Sequence, residues 1–441
     1  MAGGRLAFVT LAITTVFSNC GGGGGSSSVP SVAAPTPVPL VAHPAFASDS
    51  YVDSIGINTH YSQANYPQAS YGTINTLLIG SGIRHVRDSA FAVNVRPDVC
   101  SNDVTLGNAG LRFDFITSLG MTAADINAWN ACVGPIATEF EPYNEYDLTH
   151  PSSDPNWPAT AQSFQQTLYS TIKGNAATSN VLVLAPSLTT QSAEQMVGSL
   201  TSVLDSGNVH GYFAGFQPET GGFGAGGYGS LSYNLANARI VSGPKPIEVT
   251  ETDYATSPTI TNDVDYATQA KYLPRSLFYQ LANGVTRTYL YELVDEPGAQ
   301  PQTFADAGIV DVNYAPKPAY GVMKNMIGLL ADPGASFAPT PLTFGLGGNT
   351  ADVQTVVLEK RTHEYDVAIW IGEQSYDPNA KKSTGVASRQ LTYVSPTIPN
   401  SATLFTFDPA TGNMASNGLA TGRNIPVTVS DSVAILRLTL P

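Results

Sequence analysis

The chain of 441 residues has a formal net charge of −14, 12% charged residues and 42% hydrophobic residues. This length supports a large core and more than one domain, and the hydrophobic share excludes both a disordered chain and a bundle of membrane helices. The scarcity of Lys and Arg excludes nucleic acid and anionic lipid as partners recruited by charge.

In chain order, the first 20 residues read as an export signal. Arg5 supplies the positive charge and residues 6–17 the apolar core. Phe17-Ser18-Asn19-Cys20 is followed by five glycines and three serines. Small residues before a Cys and a flexible tether after it resemble the lipobox of bacterial lipoproteins, with Cys20 as the lipidated residue. Plain secretion with cleavage nearby is the alternative. The expected location is the bacterial cell envelope or the medium, with membrane contact only through this anchor. Residues 21–45 form a Gly/Ser/Pro-rich linker.

From residue 54, short apolar runs alternate with helical patterns, the order of a parallel α/β fold. Residues 54–60 (SIGINTH), 82–88 (GIRHVRD), 111–117 (LRFDFIT) and 136–140 read as strands one to four, with a helix at 71–79. The segment 121–132 carries no clear strand. Phe164, Leu168 and Ile172 recur every four residues with Ala161 in phase, a helix stopped by Gly174. A buried strand at 181–186 (VLVLAP), a helix at 193–204 and a strand at 208–212 (NVHGY) follow. The stretch GGFGAGGYG at 221–229 lacks the spacing of a phosphate cradle and reads as a flexible rim loop. Residues 247–250 form strand seven. A helix at 266–283 ends at Gly284, with a kink or break expected at Pro274. Strand eight is 285–293 and the last helix 319–330. Eight βα units over roughly 280 residues predict a (β/α)8 TIM barrel.

From residue 333 helical periodicity vanishes. Six β-rich runs between 354 and 440, separated by turn residues, predict a small C-terminal β-sandwich, to which residues near 40 are placed to lend a strand. The predicted domains are the signal at 1–20, the linker at 21–45, the catalytic barrel at 46–332 and the sandwich at 333–441.

Only three cysteines occur. With Cys20 assigned to lipid, Cys100 and Cys132 remain, and an exported chain is expected to join them in a disulfide.

The chemistry concentrates at two strand ends. TEFEPYNEYD at 138–147 places Asn144 and Glu145 just beyond strand four, and PIEVTETD at 246–253 closes strand seven on Glu251. Glycosidic hydrolysis needs one carboxyl to protonate the leaving oxygen and another to attack or stabilise the anomeric carbon. A barrel brings all its C-terminal strand ends to one mouth. Each motif alone is weak, and Glu139, Glu141, Glu248, Asp147 and Asp253 are rival carboxylates. Order, strand context and spacing together single out Glu145 and Glu251, with the Asn144 amide suited to a sugar hydroxyl. Arg87 is placed either to hold the nucleophile's charge or to pair with Asp88 or a barrel carboxylate. His60, His210 and Tyr212 are candidate sugar contacts, Tyr291 a candidate ring platform and Glu292 a candidate hydroxyl binder. Six histidines without ligand spacing and no GxSxG elbow argue for neither a metal, a cofactor nor a serine nucleophile. Trp370 and the sandwich tyrosines read as core rather than as a second glycan site.

On INTH at 57–60, RHVRD at 84–88, EPYNEYD at 141–147, NVHGY at 208–212, EVTETDY at 248–254, YLYELVDE at 289–296 and the GIVD…KPAY run near 308–320, the chain resembles glycoside hydrolase clan A. It is most similar to the family 39-like branch. The resemblance implies Glu145 as acid/base and Glu251 as nucleophile of a retaining double displacement on an extracellular oligo- or polysaccharide. Glu141 stands where the clan commonly has Gly before Pro, and Tyr291-Glu292 where many members place Trp; both departures bear on the substrate. The rival reading is a surface lipoprotein that keeps the barrel and binds carbohydrate without turnover. The enzyme reading predicts carboxyls about 5–5.5 Å apart and a Glu145 pKa raised by the Glu251 charge.

Overall fold

The computed structural model describes residues 37–296 and 304–441; Cys20 and the expected export signal lie outside the described residues. Eight parallel strands form the central sheet: β1 Ile55–Asn58, β2 His85–Ala90, β3 Arg112–Thr117, β4 Ala137–Glu141, β5 Leu182–Val183, β6 Gly207–His210, β7 Ile247–Thr252 and β8 Val285–Leu290. Their spatial order is β5-β4-β3-β2-β1-β8-β7-β6. A parallel bridge between Leu184 and Ser206 joins the two ends, so the sheet closes into the expected barrel.

The connecting helices follow local signals. Pro97 opens the helix Pro97–Asn108 at a position where a missing N–H costs nothing. The segment without a strand is the helix Ala123–Val133, started by a capping box between Thr122 and Asp125. The disulfide Cys100–Cys132 ties these two helices together, with Cα atoms 6.4 Å apart. Two helical expectations are corrected. The helix expected at 193–204 is Gln191–Val197, because Gly198 takes φ 66° and turns the chain. The helix Tyr266–Ala282 passes through Pro274 without a break. Tyr272, Leu273, Leu277 and Phe278 around it are buried, and that packing outweighs the local defect.

The barrel interior is polar in two layers. Towards the strand N-termini, Arg287 pairs with Glu139 and lies 3.9 Å from Glu248, and the Tyr289 hydroxyl donates to Glu139 at 2.8 Å. Towards the C-termini, Arg87, Glu141, Asn208 and Thr250 interlock. Buried charges persist only when paired and hydrogen-bonded. Each layer therefore centres on one arginine. The apolar faces of the strands, including Phe113, Phe115, Phe140 and Val249, point outward into the core beneath the helices.

The C-terminal residues form a four-stranded and a six-stranded sheet. The residues near 40 contribute two strands. Val41–His43 pairs antiparallel with Leu342–Gly347, and Ala45–Ala47 pairs parallel with Val353–Glu359. The central strands of the six-stranded sheet are buried on both faces, while its edge strand Met414–Gly418 is exposed. Val356, Leu358, Ala368, Trp370 and Ile435 pack on the barrel, while Val357, Val367, Ile369 and Leu436 fill the sandwich core. Trp370 is core, as its burial and its Nε1 donation to Glu219 at 2.5 Å require.

Candidate active site

All the candidate residues except Glu292 converge on one cleft of about 780 Å³ at the C-terminal mouth of the barrel. Arg87 is its electrostatic centre. The guanidinium is fully buried and donates to Glu141, to Glu251 Oε1 (2.6 Å), to Asn58 Oδ1 (2.9 Å) and to Asn144 Oδ1 (2.7 Å). Arg87 thus pairs at once with Glu251 and with a barrel carboxylate, Glu141. Asp88 is not that partner. It points to the opposite face of β2 and accepts from Thr59 Oγ1 and the Tyr61 N–H.

Glu251 is fixed by two donors, Arg87 and the Tyr212 hydroxyl at 2.5 Å. Glu145 follows β4 with φ 46° and ψ 50°, a left-handed conformation that is uncommon for a residue other than Gly, Asn or Asp. The Glu145 N–H donates to Ser187 Oγ at 3.2 Å. His210 Nδ1 stands 2.7 Å from Glu145 Oε1 and 3.3 Å from Glu251 Oε2. One oxygen of Glu145, one of Glu251 and a His210 nitrogen all lie within 4.8 Å of one another. This trio is a candidate metal set among the described residues. The Tyr212 and Arg87 donors already occupy the Glu251 oxygens, which suits a carboxylate acting on its own more than one shared with a cation.

The electrostatics correct one expectation. Burial pushes the Glu145 carboxyl up, but the hydrogen bond and charge of His210, with Arg87, outweigh it and hold Glu145 below its ordinary value. Burial pushes His210 down, while the Glu251 and Glu145 charges raise it to a net increase. The Glu251 charge thus acts on His210 rather than directly on Glu145.

The remaining candidates separate. Asn144 gives its oxygen to Arg87, and its NH2 has no partner among the described residues. His60 and Tyr291 line the cleft, ring to ring at 5.4 Å. Burial holds His60 down to about 4, so it is neutral. Glu292 does not reach the cleft wall. It is fully buried 3.4 Å from His60 Nε2, and burial raises its carboxyl well above the usual range. Its expected role as a hydroxyl binder is corrected to one behind His60. Among the rivals, Glu139 and Glu248 lie in the lower layer, and Asp147 accepts from the Thr189 N–H and hydroxyl. Sequence reasoning passed over Asn58 and Asn208, though both sit inside the quoted strand-end runs. It also passed over Ser187, for which no local signal exists.

One wall of the cleft is braced by the sandwich. The Lys381 ammonium donates to the carbonyls of Ser257 (2.7 Å), Ile260 (2.6 Å) and Asp263 (2.8 Å), behind the lining residues Thr261, Asn262 and Asp263.

No known family pattern and no curated protein sequence matches the chain. Its fold is similar to several solved structures. The GH39 enzyme from Xanthomonas axonopodis pv. citri is matched at TM-score 0.59 and 15% identity over 94% of this chain and 100% of that one. A monomeric β-xylosidase from Caulobacter crescentus CB15 is matched at TM-score 0.59 and 12% identity, over 90% and 98%. An α-L-arabinofuranosidase from Thermotoga maritima is matched at TM-score 0.53 and 11% identity, over 84% and 90%. The fold of this chain is thus similar to those of a GH39 enzyme, a β-xylosidase and an α-L-arabinofuranosidase.

Proposed function

We propose that this protein is a retaining glycoside hydrolase that cleaves O-glycosidic bonds of an oligo- or polysaccharide by double displacement. The observation that carries the reading is the Glu145–His210–Glu251 trio, whose atoms lie within 4.8 Å at the mouth of one barrel. These nearest oxygens are closer than the roughly 6.5–9.5 Å by which inverting enzymes separate their carboxyls to seat a water, which supports the retaining reading. Glu251 attacks the anomeric carbon, its oxygens aligned by Arg87 and Tyr212. Glu145 delivers the proton stored in its pair with His210 to the leaving oxygen. Ester formation on Glu251 removes the charge that raises His210, and Glu145 then takes the proton of the incoming water. The Asn144 NH2 and His60 are free to meet sugar hydroxyls.

The β-xylosidase and the α-L-arabinofuranosidase of similar fold put β-xylosides and α-L-arabinofuranosides first in a substrate panel. The deciding experiment follows the first-formed anomer by NMR, with Glu251→Gln as the inactive control. Retained configuration, and azide rescue of Glu251→Ala to a glycosyl azide of inverted configuration, are the expected results. An inverted first product defeats the mechanism. Export belongs to the same proposal, supported by Arg5, the apolar run at 6–17 and Cys20 before the Gly/Ser tether. Cys20→Ser is expected to release the protein from the membrane fraction, and unchanged fractionation rejects the anchor.

A further inference from the structure

The glycine-rich stretch 221–229 takes no part in the chemistry above, and it is not the loose loop its composition suggests. The N–H groups of Phe223 and Gly224 both donate to the Tyr228 carbonyl, at 2.9 and 3.2 Å, and Ser230 N donates to the Gly227 carbonyl at 2.9 Å. Gly229 has φ 85°, and a Cβ there would overlap the Phe223 ring. The glycine yields its space to an aromatic ring laid on its backbone. Phe223 stacks on Phe216 at 5.5 Å with an interplanar angle of 11°. Tyr228 meets Phe223 edge-on at 5.5 Å and Tyr233 at 5.6 Å.

Despite this bracing, Phe223 is 38% and Tyr228 49% exposed, and both line the cleft that holds Glu145 and Glu251. Large rings fixed on a hydrogen-bonded turn and left open to a cleft present ready apolar faces. The lining of this cleft also contains Glu194, which is 2% exposed and has no partner for Oε2 among the described residues. Burial, with a smaller contribution from the Asp147 charge, pushes Glu194 up to about 9. A neutral carboxyl offers one O–H donor and a carbonyl acceptor to whatever enters the cleft.

The location identifies the occupant. Glu145 is tied to His210 at the end of β6 and to Ser187 just after β5. Glu194 and the turn 221–229 belong to the connections that follow those two strands, so they flank the acid. His60 and Tyr291, which follow β1 and β8, flank the other side. The group that Glu145 protonates departs over the β5 and β6 connections.

We propose that Phe223, Tyr228 and Glu194 form a subsite for a sugar residue on the leaving-group side of the scissile bond. The inference rests on the glycosidase reading above. The apolar C–H face of the sugar ring lies on the aromatic faces, and a hydroxyl at its rim meets the Glu194 carboxyl. The preferred substrate is then a saccharide chain rather than a glycoside of a small alcohol.

The test compares two leaving groups on one glycone. A panel of xylosyl, arabinofuranosyl and glucosyl fluorides, whose departing fluoride needs no such subsite, is set beside the matching xylo-, arabino- and gluco-oligosaccharides. Tyr228→Ala, Phe223→Ala and Glu194→Gln are each expected to lower kcat/KM for the oligosaccharide about tenfold while leaving the fluoride within about twofold. Tyr228→Leu, which keeps apolar volume, serves if the alanine variant fails to fold, and is expected to show the same selective loss. Equal losses on both substrates, or none on either, overturn the subsite. A wild-type enzyme that cleaves the fluoride but no oligosaccharide overturns the subsite alone. One that cleaves neither rejects the glycosidase reading and the subsite with it.

Discussion

Replacement of Arg87 by Met is the perturbation that best tests how the site is held together. Met keeps an unbranched apolar stem but removes the charge and every donor. Four acceptors lose their partner, and two of them, Glu141 and Glu251, are buried carboxylates. Asn208 still donates to Glu141 at 2.6 Å and Tyr212 to Glu251 at 2.5 Å, neither with a charge, so Glu141 keeps no cation and Glu251 keeps only His210, 3.3 Å away. Breaking a buried ion pair by removing one partner costs about 3–5 kcal/mol. An unfolding entropy of about 2.1 cal/mol/K per residue, over roughly 400 residues melting together, amounts to about 0.8 kcal/mol/K. The melting midpoint is therefore expected to fall by about 4–6 °C. Adding Glu141→Gln removes one of the two stranded carboxylates and is expected to restore about half of the loss. Scanning calorimetry of both single variants and the double variant at pH 7 measures the cycle. A fall below about 1 °C, or a double variant no more stable than Arg87→Met, refutes Arg87 as the countercharge of both acids.

Three further outcomes are expected. His210 binds its proton more tightly folded than unfolded, so its contribution to stability is present below about pH 6.5 and is lost as pH rises through its folded pKa. His210→Gln should abolish that slope and move the alkaline limb of kcat/KM to lower pH, because the limb then belongs to Glu145 alone; an unmoved limb contradicts the shared proton. The Cys100–Cys132 bond spans 32 residues, so replacing both cysteines by Ser should cost about 3–4 kcal/mol in denaturant unfolding, and a loss below about 1 kcal/mol rejects the chain-entropy account. Lys381→Met frees three carbonyls behind the cleft wall and should raise KM several-fold with a smaller change in kcat; unchanged kinetics and an unchanged melting midpoint would detach the sandwich from the site.

The sequence displayed the barrel because eight short apolar runs alternate with helical patterns, and strand ends mark the mouth of such a fold. Glu145 and Glu251 were legible for that reason. Arg87 was legible only by residue type. Its partner follows from the strand period of two, which turns Arg87 inward to Glu141 and Asp88 outward to Thr59. The helix Ala123–Val133 escaped notice because its start is marked by Thr122 and Asp125 rather than by an apolar run. The sign of the Glu145 shift depends on a hydrogen bond to a residue 65 positions away. A composition of six glycines in nine residues suggests looseness, and only the packing of Phe223 over Gly229 reveals the opposite. Glu292 stands next to Tyr291 in sequence yet lies behind His60 rather than in the cleft.

The two strands Val41–His43 and Ala45–Ala47 precede the whole barrel, while their partners follow it. This placement dictates an order of assembly on the ribosome. At about 5–20 residues per second, the roughly 300 residues between Val41 and its partner Phe344 take some 15–60 s to emerge. The barrel can close within that interval, but the sandwich cannot, since one strand of each sheet has been made and waits for the rest. An unpaired strand in a nascent chain is a template for wrong pairing. Here each waiting strand is three residues long, with Pro37 and Pro39 before the first and Pro44 between the two. Proline donates no hydrogen bond to a neighbouring strand. The residues that keep these strands short in the finished fold also keep them from stray partners during synthesis.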